Sequence, residues 1–437
     1  MRLPFKLLVL LLLWPVIVNC QTTTPAATPV QSQRIAQLAA SIRNGDSSAE
    51  DAFWRSIRGQ VPLWERIPPA NQGYQLVTFV WRGDDSTIAV TLDAPLPIPP
   101  NRHWDDGGPR PLARLAQTHL WYRTERLPFD YRLLYAFHVT HRGRNGIERT
   151  DDGLDSLNSG PIVEGSSVAE GVFAPRQPWL VRLPGVPAGR LRPDSLFSRA
   201  LGEERTFTIY TPAASSQRPT AIVVLFDGER YLQDVPIPPT LDNLSAKHMI
   251  ERPVVVFVDT RRWNRQADLS CNLQFEAFVV RELLPFVART SGLTVATVHA
   301  VIGGSSLGGL QAACTAFHHP AVFGRVLALS GSFAWYPGEP SIEPEYLTEH
   351  GWLESGWLTR QIAATARRPL HFYVATGTWE GDGLVENRRM RDVLTAKGYP
   401  VVYQEYSGGH DEVVWRGLIA DGLIALIPSP EARNVTR

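Results

Sequence analysis

Cysteine is scarce. Three among 437 residues exclude a disulfide-dense scaffold, and none stands in the CxxC spacing that suggests a metal site or redox couple. Excess charge of one sign is also missing. Lys plus Arg and Asp plus Glu number 43 each, so no overall positive field attracts nucleic acid or an anionic membrane, and an anionic ligand has to be held by local charge. The apolar run Leu7 to Val18 is shorter than the ~20 residues a bilayer requires, and no other segment resembles a membrane span. What is abundant is core material: 44% hydrophobic residues with 13 tryptophans describe a packed globular protein, long enough for two or three domains.

The chain opens "MRLPFKLLVLLLLWPVIVNCQ". Arg2 and Lys6 before a short apolar run form the n- and h-regions of a secretory signal, so 1–20 is expected to be a signal peptide and the mature protein exported, into the periplasm. Cys20 after Ile17-Val18-Asn19 loosely resembles a lipoprotein cleavage site, although Asn departs from the usual small residue there. The Thr/Pro/Ala-rich stretch that follows cannot bury a core, and 21–34 is read as a linker. Cys271 and Cys314 remain, with two readings open: a disulfide in an oxidising compartment, or buried thiols.

Residues 35–190 are expected to hold a helical lead-in and a small N-terminal domain. "RIAQLAASIRNGDSSAEDAFWRSI" has helical spacing, with Asp46 to Ser48 as break and cap. From Gly73 the texture changes to "YQLVTFVWRG", "STIAVTLDA", "THLWYRTERL" and "YRLLYAFHVTH". These short runs, rich in aromatic and β-branched residues and separated by turn formers, predict an immunoglobulin-like β-sandwich over roughly Gly73 to Pro184. No repeat or low-complexity tract interrupts it. In 191–437, strand-like "TAIVVLFDG", "RPVVVFVDT", "TVHAVIGG", "RVLALSGS", "LHFYVATG" and "VVYQEYSGG" alternate with helical stretches. Runs apolar on both faces belong to strands covered by helices on each side, and the fold expected is an α/β-hydrolase domain with a mostly parallel sheet.

The chemistry concentrates in "VIGGSSLGGLQAAC". Gly304-Ser305-Ser306-Leu307-Gly308 is a GxSxG segment between strand and helix patterns, where flanking glycines leave room for a strained central serine. Ser306 is the expected nucleophile, and the Leu307 N-H at the positive end of the following helix is an expected oxyanion donor. A serine needs a base. His410, in the Gly-rich "YSGGHDEVVWR" after the final strand, is chosen over His318 and His319 at a helix end and over His299 and His371 in or beside strand patterns. For the acid, "TGTWEGDGLVEN" supplies Glu380, the first choice, with Asp382 close behind, whereas Glu386 is assigned to the next helix. The second oxyanion donor is expected from "VVLFDGERYLQD", at Gly228 or Glu229.

Several of these segments together resemble the enterochelin (enterobactin) esterase family, of the esterase D-like type: "LFDGERYLQDVP", "VDTRRWNRQADLSCN", "RELLPF", "GGSSLGGLQA", "LSGSFAWYP" and "GGHDEVVWRGL", in the family's order. "TFVWRG" and "DSLNSG" resemble, more loosely, the sandwich that precedes the esterase domain. The resemblance implies hydrolysis of the ester bonds of a cyclic catecholate siderophore, with iron present only as part of the substrate and no cofactor. It gives Ser306, His410 and Glu380 the catalytic roles and draws Arg262, Arg265 and Trp335 into binding, since guanidinium groups and an indole suit an anionic aromatic ligand. Two features depart from the family: the export signal, and the stretch after "LSGSFAWYP", which has no close match. Two other functions fit the same residues: a feruloyl or acetyl esterase acting on carbohydrate esters, and a catalytically silent siderophore-binding protein.

Overall fold

The computed structural model of the chain describes residues 32–67, 73–98, 108–215, 218–233, 237–260, 264–291, 293, 300–338 and 355–435. The expected signal peptide, Cys20 and most of the expected linker lie outside these. The first helix, Gln33–Arg43, begins inside the stretch read as linker and is capped by Ser32. Asp46 accepts from the backbone N-H and hydroxyl of Ser48, and a second helix runs over Ala49–Ser56.

Among the described residues, ten strands follow: β1 (Leu63–Arg66), β2 (Tyr74–Arg82), β3 (Thr87–Asp93), β4 (Arg110–Pro111), β5 (Ala113–Arg114), β6 (Leu120–Pro128), β7 (Arg132–Arg142), β8 (Glu148–Gly153), β9 (Ile162–Val163) and β10 (Ser166–Glu170). They form two antiparallel sheets, β1-β2-β6-β5 and β4-β3-β7-β10-β9, with β8 on β7. Period-2 alternation places the core. Val77 and Phe79 of β2 meet Val90, Leu92, Leu133, Tyr135 and Phe137 of the other sheet. On the opposite face of β2, Val80 packs with Ile35, Leu38, Phe53 and Trp54 of the two helices, which is why an amphipathic lead-in precedes the first strands.

The second unit is an eight-stranded sheet built from β11 (Arg190–Ser198), β12 (Glu203–Thr211), β13 (Ala221–Phe226), β14 (Pro253–Val258), β15 (Ala300–Ser305), β16 (Arg325–Leu329), β17 (His371–Gly377) and β18 (Val401–Tyr406). Its order is β11-β12-β14-β13-β15-β16-β17-β18. β11 and β12 pair antiparallel and β13 to β18 run parallel, the mostly parallel sheet expected of an α/β-hydrolase. β13 explains its own hydrophobicity: Ile222, Val224 and Phe226 enter one core layer, while Ala221, Val223 and Leu225 enter the other. At about 1.5–3 kcal/mol per large apolar side chain buried, neither face tolerates water.

Cys271 and Cys314, 43 positions apart in sequence, form a disulfide with Cα atoms 5.4 Å apart, which resolves the open pairing. The bridge ties the segment before helix Leu273–Ala277 to helix Leu307–His318. Closing a loop of this length is worth about 4 kcal/mol on chain-entropy arithmetic. Calorimetry of the Cys271→Ser/Cys314→Ser double variant should show melting lowered by roughly 10 °C; a melting temperature equal to that of the parent contradicts a stabilising bridge. Among the described residues, no helix is long and apolar enough to cross a membrane.

Candidate active site

Parallel strands deliver their carboxyl ends to one edge of a sheet, and ligands bind there. Three non-glycine residues with positive φ follow neighbouring strands along this edge: Asp227 after β13 (58°), Ser306 after β15 (59°) and Ser330 after β16 (46°). Such conformations cost of order 1–3 kcal/mol each and persist only where the surroundings enforce them. Around Ser306 they do. A Cβ on Gly304 would lie 2.8 Å from the backbone carbon of Gly308, so the strand-to-helix bend closes only with a bare glycine at Gly304. The Ser306 N-H donates to Leu329 O at 2.9 Å, and its carbonyl accepts from Leu310 N and Ser332 N at 3.1 Å each. Ser306 is partly accessible at a bend whose neighbours Ser305, Leu307 and Gly308 are buried. Its Oγ stands 3.4 Å from Ser332 Oγ.

Farther along the same edge, Glu380 follows β17 and His410 follows β18. The His410 Nδ1 is 3.0 Å from Glu380 Oε2, with side chains 12% and 1% exposed. The other carboxylate oxygen, Oε1, accepts from Gly377 N at 2.6 Å, Ser330 Oγ at 2.6 Å and Tyr406 OH at 2.9 Å. Trp415 Nε1 donates to Ser330 Oγ at 2.9 Å and to Tyr406 OH at 3.0 Å, and its ring meets His410 edge-on at 4.7 Å. Every partner of Oε1 is a donor, so Oε2 is left for the imidazole. Burial and the Glu380 charge hold the Tyr406 phenol far above its usual range, fixing it as a donor. Asp382 instead opens helix Asp382–Ala396, where a carboxylate suits the positive end. Glu386 belongs to that helix and pairs with Arg389 and Gly356 N. His318 and His319 both approach buried Glu276.

β13 and β15 are adjacent and parallel, with Leu225 opposite Gly303, so the turn after β13 sits beside the serine bend. A Cβ on Gly228 would lie 2.4 Å from the Phe257 backbone carbon and 2.6 Å from Val258 N, which explains Gly at the start of helix Gly228–Gln233. Behind it, Tyr231 OH donates to Ser305 Oγ at 3.1 Å. The Glu229 carboxylate accepts from Thr260 N at 3.3 and 3.2 Å.

The three residues expected to bind ligand fare differently. Arg262 lies outside the described residues. Arg265 is partly exposed, and its Nε and terminal NH2 both reach Asp227, at 2.7 Å each. Asp227 also accepts from the Thr260 hydroxyl, so the bidentate pair braces the turn ahead of Gly228. Trp335 is 9% exposed within the main core cluster and meets Trp357 edge to face at 5.9 Å.

The His410 loop also lines a cavity of about 370 Å³, whose other walls include Pro95, Leu96 and Leu134 of the N-terminal unit, together with Trp379 and Asp411. Ser306 is not among the residues lining it. Sequence reasoning passed over Ser330, Tyr406 and Trp415. The only trace of them was their presence in the quoted strings "LSGS", "VVYQEYSGG" and "GGHDEVVWR".

A family model described as "Putative esterase" matches residues 198–426, from the end of β11 through helix Glu412–Leu426, the first after His410. The iron(III) enterobactin esterase of Dickeya dadantii is 28% identical, aligned over 94% of this chain and all of that protein. The crystal structure of the ferric enterobactin esterase from Salmonella typhimurium superposes with a TM-score of 0.70 at 25% identity, covering 86% of this chain and 98% of that one. The Shigella flexneri enterobactin esterase, crystallised in the presence of enterobactin, gives 0.67 at 26%, covering 86% and 97%. Since the match takes in just over half of the residues, including the serine bend, the acid turn and the histidine loop, the chain belongs to this esterase family and is a carboxylic ester hydrolase.

Proposed function

We propose that the protein is an exported serine esterase that opens the ester bonds of a catecholate siderophore of the enterobactin type, using Ser306, His410 and Glu380. The observation that carries this reading is the His410–Glu380 contact at 3.0 Å, at the same sheet edge as the strained serine. Relatives aligned over most of the chain, and named for iron(III) enterobactin, supply the substrate class. In the reaction, Ser306 Oγ attacks an ester carbonyl carbon while His410 Nε2 takes the hydroxyl proton. Glu380 holds Nδ1-H and so fixes the tautomer. The Leu307 and Gly228 N-H groups stabilise the oxyanion. Collapse expels the serine alkoxide of the siderophore, which receives the proton from His410. Water, deprotonated by the same imidazole, then cleaves the acyl-enzyme and regenerates Ser306.

Iron enters as part of the substrate. Export is supported by the N-terminal signal pattern and by the Cys271–Cys314 disulfide, which suits an oxidising compartment. The N-terminal unit is read as an immunoglobulin-like β-sandwich, on the strength of two antiparallel sheets enclosing one apolar core. Chromatography and mass spectrometry after incubation with ferric enterobactin should reveal the linearised trilactone and its dihydroxybenzoylserine fragments. An untouched siderophore beside rapid turnover of feruloyl esters would reject the siderophore reading.

A further inference from the structure

His410 is flanked by contacts that come from outside its own domain. The Ser407 carbonyl accepts from Arg132 N at 3.3 Å. A Cβ on Gly409 would lie 2.6 Å from Pro95 Cβ, so the segment after β3 rests directly on the loop backbone. Trp379, next to Glu380, is part of the N-terminal core and stacks on Tyr131 at 6.5 Å. Most direct is Asp411. Its Oδ1 accepts from Val413 N at 2.8 Å, capping helix Glu412–Leu426, while Oδ2 accepts from Leu134 N on β7 at 2.6 Å. Those two residues are 277 apart in sequence. A second bridge runs nearby, from Glu164 between β9 and β10 to Arg230 at 3.9 Å, and from Arg230 to Glu412. Arg230 belongs to the helix that starts at Gly228, so the N-terminal unit touches the oxyanion turn as well as the histidine loop.

A carboxylate in this place is costly. Asp411 is enclosed, and burial pushes its carboxyl up to about 6 although two backbone N-H groups favour the charged form. A helix cap alone does not demand it, because Ser caps about as well as Asp. What Ser lacks is the second oxygen and the reach to β7.

We propose that Asp411 is a positioning residue: by holding Leu134 N-H it lets the N-terminal two-sheet unit set the place of His410 against Glu380 and Ser306. The inference rests on His410 being the base. The N-terminal unit is then a working part of the hydrolase, and the start of β7 around Leu134 is the surface that matters.

The test compares wild type, Asp411→Ser and Asp411→Asn as full-length proteins. The measurements are kcat and KM on p-nitrophenyl butyrate, the rate of fluorophosphonate labelling, and hydrogen exchange of the peptide containing Leu134. In Asp411→Ser, Leu134 should exchange faster and kcat fall about 10- to 100-fold, the scale of an ångström-sized misplacement. KM should stay within about twofold and labelling slow by the same factor as kcat. Faster Leu134 exchange with wild-type kcat overturns the proposal, and so does a lower kcat with Leu134 still protected, since capping alone would then explain it. Should the serine variant fail to fold, Asp411→Asn, with one acceptor oxygen for two donors, gives the same reading: loss of kcat has to track Leu134 exchange. A wild type that turns over the aryl ester but not ferric enterobactin sinks the siderophore assignment and leaves this inference intact.

Discussion

Ser306→Ala is expected to lose about six orders of magnitude in kcat, with KM for the siderophore little changed, because serine, histidine and acid act as a unit and removing one removes the chemistry of all. The loss is chemical in origin. Alanine suffers the same positive φ as serine (59°), and the bend is held by backbone bonds from Ser306 N to Leu329 and from Leu310 N and Ser332 N to the Ser306 carbonyl, none of which involves the hydroxyl. Ser332 Oγ is 3.4 Å away, but the helix whose positive end would aid an oxyanion begins directly after Ser306. Residual catalysis of about 10³- to 10⁴-fold over water should persist from the oxyanion donors and binding. Single-turnover kinetics on ferric enterobactin measures the loss; turnover within tenfold of wild type would mean that another group attacks the ester.

Glu380→Gln should cost about 10⁴-fold in kcat, whereas Asp382→Asn should cost less than about tenfold. The asymmetry follows from the donors around Oε1. Gly377 N, Ser330 Oγ and Tyr406 OH all point at that oxygen, so a glutamine at 380 must present its carbonyl to them and turn its amide NH2 toward His410. The imidazole then has to accept at Nδ1 and carry its proton on Nε2, the tautomer that cannot deprotonate Ser306. Asp382 starts a helix, so its amide perturbs a helix end. Steady-state kinetics of the two variants decides the matter, and equal losses would remove the special role of Glu380.

Local chemistry made the strand-to-helix bend at Ser306 and the loops that carry Glu380 and His410 legible from sequence. The GxSxG bend needs its glycines within four residues, the histidine follows the last strand, and the acid follows the one before it. Long-range partners were not legible. Ser330, Tyr406 and Trp415 meet around Glu380 from three separate stretches, and Asp411 finds Leu134 across the domain boundary. The Asp227 partner of Arg265, 2.7 Å away but 38 positions earlier, was likewise not legible. The burial of Trp335 was not legible either, since an indole reads alike in a core and in a binding wall. Among strands, those with a buried face were plain. β8, "ERTDDG", is exposed or half-exposed throughout, and β11, "RLRPDSLFS", is an edge strand buried only at its last residue; with no apolar face to keep, neither carried a period-2 signal.

Fluorophosphonate labelling followed by tandem mass spectrometry most directly tests whether one activated alcohol does the chemistry. A single phosphonyl adduct on Ser306 is expected, appearing at least about 10³-fold more slowly in His410→Ala protein. An adduct on Ser305, Ser330 or Ser332 instead, or labelling of Ser306 at the same rate without the imidazole, would contradict it.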